Sequence, residues 1–256
     1  MKLATWNVNS IRIRLERLGA LLDRHQPDVL CLQETKVEDE RFPMEPFAER
    51  GYQVALHGQK SYNGVAIASR RPMEDVVRGL PPDGTAEEQA RLIAATIDGV
   101  RVICAYVPNG QAPGTPKYEH KLAWMERLRR HMADLVGAGP MVLCGDFNVA
   151  PEDRDVHDPI AWAGQIHCSE PERAALRSIA SVGLIDGLRH LRPDAGLYTW
   201  WDYRQLSFPK NKGLRIDLVL VNQPMVGRLR EVAIDRDERK GKQPSDHAPV
   251  IATFEA

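Results

Sequence analysis

Arg91-Leu-Ile-Ala-Ala-Thr-Ile97, Asp98-Gly99 and Val100-Arg-Val-Ile-Cys-Ala-Tyr-Val107 form the stretch in which the fold class is easiest to read. Two apolar, β-branched runs flank a dipeptide suited to the positive φ angles of a two-residue hairpin turn, so the segment reads as antiparallel strands. Outward from it, Leu3 to Val8, Asp28 to Gln33, Met141 to Cys144, Ile216 to Val221 and Val250 to Phe254 read as further strands. Helical spacing is confined to fewer places. Ile11, Leu15, Leu18 and Leu22 form one apolar stripe that fades near His25, before Pro27. Leu122, Met125, Leu128, Met132 and Leu135 put an amphipathic helix over Lys117 to Val136, closed by Gly137 and Gly139. Ser169 with Pro171 opens another helix, which Gly183 ends. Strands outnumber helices, and no Pro/Gly/Ser-rich linker divides the chain. The pattern predicts one α/β domain over residues 1–256, with two packed sheets, mixed or antiparallel, covered by helices.

The 256 residues are 43% hydrophobic and 27% charged, the balance of a soluble globular protein. No apolar run approaches the ~20 residues that cross a bilayer, and the N-terminus has no signal-peptide pattern, so a cytoplasmic protein is expected. A net charge of -1 is not that of a protein that coats nucleic acid non-specifically. Binding to a polyanion would need a local basic patch, with or without the help of a metal ion. Cys31, Cys104 and Cys144 lie inside apolar runs and no C-x-x-C occurs, which predicts buried, reduced thiols. His167-Cys168 has no partner pair at zinc spacing.

The chemistry-bearing residues fall at strand boundaries. Asn7, Asn9, Glu34, Asp146 and Asn148 follow strands, whereas Asp217 begins one and Asp246-His247 precede the last. In a sheet with antiparallel neighbours, the end of one strand lies beside the start of the next, so these groups converge on one edge. Singly, such residues cap turns. Together, four carboxylates would repel unless a cation shared them, and oxygen ligands suit a hard ion such as Mg²⁺ or Mn²⁺. Such a site is fitted to phosphate-ester hydrolysis. There is no G-x-S-x-G elbow and no G-x-x-x-x-G-K-[ST] loop, and consecutive Ser245-Asp246-His247 cannot form a triad among themselves.

Seven ordered motifs carry a resemblance: Leu3-Ala-Thr-Trp-Asn-Val-Asn-Ser10, Leu32-Gln-Glu-Thr35, Ala105-Tyr-Val-Pro-Asn-Gly110, Leu143-Cys-Gly-Asp-Phe-Asn-Val149, Tyr198-Thr-Trp-Trp-Asp-Tyr-Arg204, Gly213-Leu-Arg-Ile-Asp-Leu218 and Pro244-Ser-Asp-His-Ala-Pro249. They are similar to those of the exonuclease III family of abasic-site endonucleases, and they run from residue 3 to residue 249. The resemblance implies a DNase I-like, four-layer α/β sandwich of two packed mixed sheets flanked by helices. It implies Mg²⁺-dependent incision of DNA 5′ to abasic sites, with 3′→5′ exonuclease and 3′-phosphatase action on duplex DNA, Mn²⁺ substituting. Glu34 would be the principal metal ligand, with Asn7, Asp146, Asn148 and Asp246 contributing. Asp146 would activate water or protonate the leaving oxygen. Asn148 and Tyr106 would contact the phosphate, and Asp217 would orient a protonated His247.

The partner expected is double-stranded DNA with abasic sites or 3′ ends, with no membrane and no obligate protein partner, the chain acting as a monomer. Its DNA-facing residues would be Arg91, Asn109 and Lys117, then Trp200, Trp201, Arg204, Phe208, Lys210 and Lys212 in a loop that interleaves aromatics with cations. Trp200 and Trp201 would wall the pocket for an extruded abasic sugar, although Trp200 and Tyr203 read equally well as core aromatics. His167 reads as a loop residue more readily than as a DNA contact. The start at the first strand, without the lysine-rich extension of animal members, looks bacterial. Two rival readings are an inositol-phosphate phosphatase on the same fold and a non-catalytic DNA-binding module.

Overall fold

The structure, a computed structural model, describes residues 1–82, 84 and 89–255. Twelve strands occur among the described residues: β1 (Lys2–Asn7), β2 (Val29–Gln33), β3 (Gln53–His57), β4 (Val65–Ser69), β5 (Glu74–Arg78), β6 (Leu92–Ile97), β7 (Val100–Tyr106), β8 (Met141–Asp146), β9 (Leu184–Asp186), β10 (Asp217–Asn222), β11 (Leu229–Ile234) and β12 (Val250–Phe254). The Arg91–Val107 segment forms the expected hairpin, with Ile97 opposite Val100. Asp98 and Gly99 take φ of 48° and 75°, the left-handed pair that matches the twist of the flanking strands.

The strands form two six-stranded sheets, ordered β11-β12-β1-β2-β4-β3 and β5-β6-β7-β8-β10-β9. Each is built around a parallel pair, β1 with β2 and β7 with β8, flanked by antiparallel strands. Both sheets are therefore mixed, as the resemblance implied. Alternation along each strand sends side chains to two faces. Leu3, Val29, Cys31 and Ile67 of one sheet meet Ile93, Val102, Cys104, Val142, Cys144 and Val219 of the other in a shared core. On the outer faces, Trp6, Leu30 and Leu32 pack on Leu18, Leu21 and Leu22 of the helix Leu15–His25. Ile103, Leu143 and Leu218 pack on Met125, Leu128 and Met132 of the helix Pro116–Leu135 and on Leu176 and Ile179 of the helix Glu170–Ser181. The layers thus run helix, sheet, sheet, helix. Each such side chain contributes about 1.5–3 kcal/mol by leaving water.

Local signals set the helix ends. Thr115 accepts the Tyr118 N–H ahead of Pro116, and Ser169 forms a reciprocal capping box with Glu172. Sequence patterning missed β3, β4, β5, β9 and β11. β5 is a largely exposed edge strand and β9 has only three residues, so neither displays a full apolar period. All four cysteines are free and buried, as expected for Cys31, Cys104 and Cys144. Among the described residues no helix is long and apolar enough to cross a membrane.

Candidate active site

Strand register gathers the polar residues. Asp146, the last residue of β8, lies opposite Asp217, the first of antiparallel β10, and opposite Tyr106 at the end of parallel β7. In the other sheet Asn7 pairs with Gln33, so Glu34 follows at the same edge. Thr5 pairs with Val250 of β12, which brings the Pro244–Pro249 segment in beside Asn7. Ser245 Oγ anchors that segment, donating to the Asn7 carbonyl at 2.7 Å and accepting the His247 N–H at 3.2 Å. Both sheets therefore supply the site.

At its centre the Asn7 amide donates from Nδ2 to Glu34 Oε1 and to Asp146 Oδ2, both at 2.9 Å. The Tyr106 hydroxyl donates to Glu34 Oε1 at 2.9 Å. His247 Nδ1 lies 2.9 Å from Asp217 Oδ2, and its Nε2 lies 3.7 Å from Asp146 Oδ2. Asn148 donates its backbone N–H to Asp146 Oδ1 at 2.9 Å and its side-chain amide to the Val107 carbonyl at 3.0 Å. Ligand atoms of Glu34, Asp146 and His247 lie within 4.8 Å of one another, a set that can hold a metal ion. Asn7 faces this group with a donor, since its Oδ1 accepts the Asn9 N–H at 2.9 Å. Asp246 is engaged by other groups, with Oδ1 bonded to Asn9 and Oδ2 to the Trp200 indole.

The charges are set by this packing. Burial pushes the Asp146 carboxyl up to about 7, the Asp217 and Glu34 charges adding to it against the pull of the His247 ring. Burial by itself would lower the His247 pKa, but Asp217, Asp146 and Asp246 outweigh it and raise it to about 10. The ring is thus an imidazolium at neutral pH. Burial also opposes the charge on Glu34, yet Lys36 and Asn7 leave its pKa below the usual value. Burial, with the Glu34 and Asp146 charges, holds the Tyr106 phenol well above its ordinary range, so it stays a donor.

Backbone strain marks the same place. Asn9, Glu34, Lys36, Asn148 and His167 have φ of 42°, 53°, 54°, 52° and 71°. Left-handed residues other than glycine cost of order 1–3 kcal/mol each and persist where the surroundings over-determine them. Gly145, one residue before Asp146, is required for a different reason: at φ 138° a Cβ there would sit 1.9 Å from the Ala105 carbonyl oxygen. Only glycine lets β8 approach β7 this closely.

The expected DNA-facing residues divide. Lys117, Arg204, Lys210 and Lys212 are exposed, and exposed Asn109 reaches Asn148 Oδ1 at 3.4 Å. Arg91 lies over the Tyr106 ring, 4.8 Å from its centroid. Trp200 is half-buried beside Asp246, and Tyr203, one of the two read equally as core, is exposed. The expectation for Trp201 is corrected. It is fully buried against Tyr198, Phe208 and Ala248. Trp200 bridges to His247 and Leu214 in extended pairing, so the next side chain turns to the opposite face. Phe208 caps Trp201 edge-on at 5.2 Å and lies under Arg236 and Arg239. His167 is a loop residue but a buried one, its Nδ1 2.6 Å from the Asn148 carbonyl. Sequence reasoning missed Lys36, whose Nζ lies 2.8 Å from Glu34 Oε2 and also donates to Asn9 Oδ1. Its signal was available, two residues past Glu34 in Leu32-Gln-Glu-Thr-Lys36.

Comparison with known proteins agrees with this geometry. A match to the endonuclease/exonuclease/phosphatase family spans residues 4–247. The chain is 36% identical to the exodeoxyribonuclease III of Haemophilus influenzae, over 99% of its own length and 100% of that protein. It superposes on the 3′-phosphatase NExo of Neisseria, solved bound to a product DNA hairpin, with TM-score 0.97 at 44% identity and 100% of both chains covered. An AP endonuclease of Archaeoglobus fulgidus is similar over 100% of both chains, with TM-score 0.96 at 41% identity.

Proposed function

The chain belongs to the endonuclease/exonuclease/phosphatase family, and from that membership we propose that it is a Mg²⁺-dependent DNA-repair hydrolase of the exodeoxyribonuclease III type. It incises duplex DNA 5′ to abasic sites and removes nucleotides and blocking phosphates from 3′ ends. The observation that carries this reading is the convergence, from both sheets, of Glu34, Asp146 and His247 on one point, with Asn148 and Tyr106 beside them.

Glu34 would hold the ion through oxygen, the donor chemistry a hard cation prefers. When bound, the ion supplies positive charge that neutralises phosphate oxygens and steadies the leaving 3′ oxygen. The protein's own groups do the rest. His247, kept cationic and oriented by Asp217, donates to a phosphate oxygen from Nε2. Asn148 and the Tyr106 phenol contribute neutral donors at the same place, stabilising charge that develops on phosphorus oxygens in the transition state. Asp146, at about 7, exchanges a proton with the attacking water or the leaving oxygen. Arg91, Asn109, Lys117, Trp200, Arg204, Phe208, Lys210 and Lys212 would flank the duplex, the cations meeting phosphates. The enzyme acts as a monomeric single domain in the cytoplasm.

A gel assay on matched duplexes tests the proposal. One carries an internal abasic analogue, one a recessed 3′ end and one a 3′-phosphate. Cleavage of these in Mg²⁺ or Mn²⁺, abolished by EDTA, is the expected result. Undiminished cleavage in EDTA, or hydrolysis of soluble inositol phosphates with none of DNA, overturns it.

A further inference from the structure

Lys121 and Glu172 form a fully buried ion pair that no motif announced. Lys121 lies on the helix Pro116–Leu135, and Glu172 in the first turn of the helix Glu170–Ser181. As glue between two helices such a pair is a poor choice, because desolvating both charges often costs as much as their attraction returns. Its remaining hydrogen bonds lead elsewhere.

The Lys121 ammonium has three protons, and all three are engaged: with Glu172 Oε1, with the Asn148 carbonyl at 2.7 Å and with the Asn109 carbonyl at 3.2 Å. Those carbonyls belong to the two loops that leave β7 and β8 at the active site. Glu172 reaches the third loop there, accepting the His167 N–H at 3.1 Å and both the N–H and the hydroxyl of Ser169, at 3.2 and 2.5 Å. His167 closes the ring through its 2.6 Å contact with the same Asn148 carbonyl. Asn148 is thereby clamped in its left-handed conformation at the carbonyl end, while its N–H and side chain face the two oxygens of Asp146, at 2.9 and 3.3 Å. The carbonyl and the N–H lie in adjacent peptide planes joined at the Asn148 Cα, so displacing that residue would disturb both sets of bonds.

We propose that the Lys121–Glu172 pair is a positioning unit, which acts through Asn148 to hold Asp146 in its working geometry. The inference rests on reading the site as that of a DNA phosphoesterase. Loss of the pair slows turnover and leaves substrate binding nearly intact, because neither residue faces DNA.

The test uses the full chain carrying K121M/E172Q, which removes both charges together and leaves neither buried alone. Its folded fraction is measured by circular dichroism, and kcat and KM are measured in Mg²⁺ on the abasic and recessed-end duplexes. The expected result is a kcat at least tenfold below wild type, per folded molecule, with KM within about threefold. N148A should then cost at least tenfold less in this background than in the wild type, since its partner is already displaced. Wild-type kcat in the folded double variant, or an N148A penalty equal in both backgrounds, overturns the proposal. Should the double variant not fold, K121M alone, in which both Glu172 oxygens keep their bonds from His167 and Ser169, is judged by the same two criteria. A wild-type protein that leaves DNA intact in Mg²⁺ instead overturns the functional reading itself.

Discussion

Two groups of largely buried charges differ in how they are balanced. Around Asp155 two acids meet two guanidiniums: Arg215 holds Asp155 at 2.6 Å and Asp186 at 2.7 Å, and Arg189 also bonds Asp155. At the active site the contact ion pairs of Glu34, Asp146 and Asp217 are made with the His247 ring and the Lys36 ammonium, three acids to two cations, and Asp246 is held by the neutral groups of Asn9 and Trp200. In the first group burial opposes the Asp155 charge, but Arg215 and Arg189 overcome it and lower its pKa. In the second, burial wins at Asp146 and its pKa rises. A balanced cluster of this kind staples loops to a sheet. An unbalanced one stores a demand for positive charge, which a cation or a substrate-linked proton can meet.

The separation is broken or sharpened by four measurements. R215M leaves buried Asp155 and part-buried Asp186 short of a partner and should destabilise the fold by about 3–5 kcal/mol. Chemical denaturation reads that loss, and the folded fraction should keep its activity within about twofold. A parallel collapse of activity per folded molecule would show the two clusters to be one.

D146N should do the reverse. Cleavage of the abasic duplex is expected to fall by ~10²–10³, while the melting temperature holds or rises, because a repelling charge has gone. A variant that melts far below wild type would place Asp146 among the structural acids.

Saturating Mg²⁺ or Mn²⁺ comes next. An ion at about 100 times its Kd should add ~2.7 kcal/mol of stability. In a thermal-shift titration E34Q should abolish that gain and R215M retain it. An equal gain in E34Q would put the ion elsewhere.

The smallest effect is the pH response in EDTA, where the two clusters have opposite signs. Asp146 is raised, so between about 4 and 7 the folded state binds the extra proton and stability is lost as pH rises. Asp155 is lowered, so its contribution is present at neutral pH and lost as pH falls below the ordinary carboxylate range. Wild type should therefore lose stability relative to D146N on going from pH 5 to pH 7, by at most about 1.4 kcal/mol per unit. A flat difference would mean that Asp146 is ionised throughout.

Much of this was legible in the chain, for reasons that differ between elements. The hairpin at Asp98-Gly99, the helix start at Ser169 and the apolar stripes of two helices are local signals, and all formed as read. The convergence of Asp146 with Asp217 was also readable, because antiparallel pairing places the end of one strand beside the beginning of its neighbour. The edge strands β5 and β9 were not, since a strand that is exposed or three residues long shows little period.

Sequence by itself determined which side chains carry chemistry and near which strand ends they lie, because covalent order and two-residue alternation are local properties. Tertiary structure alone decided that His247 joins Glu34 and Asp146 while Asp246 accepts from Asn9 and Trp200. It also turned Trp201 into the core and placed Lys121 and Glu172 behind Asn148. Those outcomes depend on which loops meet across two sheets, and long-range packing of that kind leaves no periodic trace in a single chain.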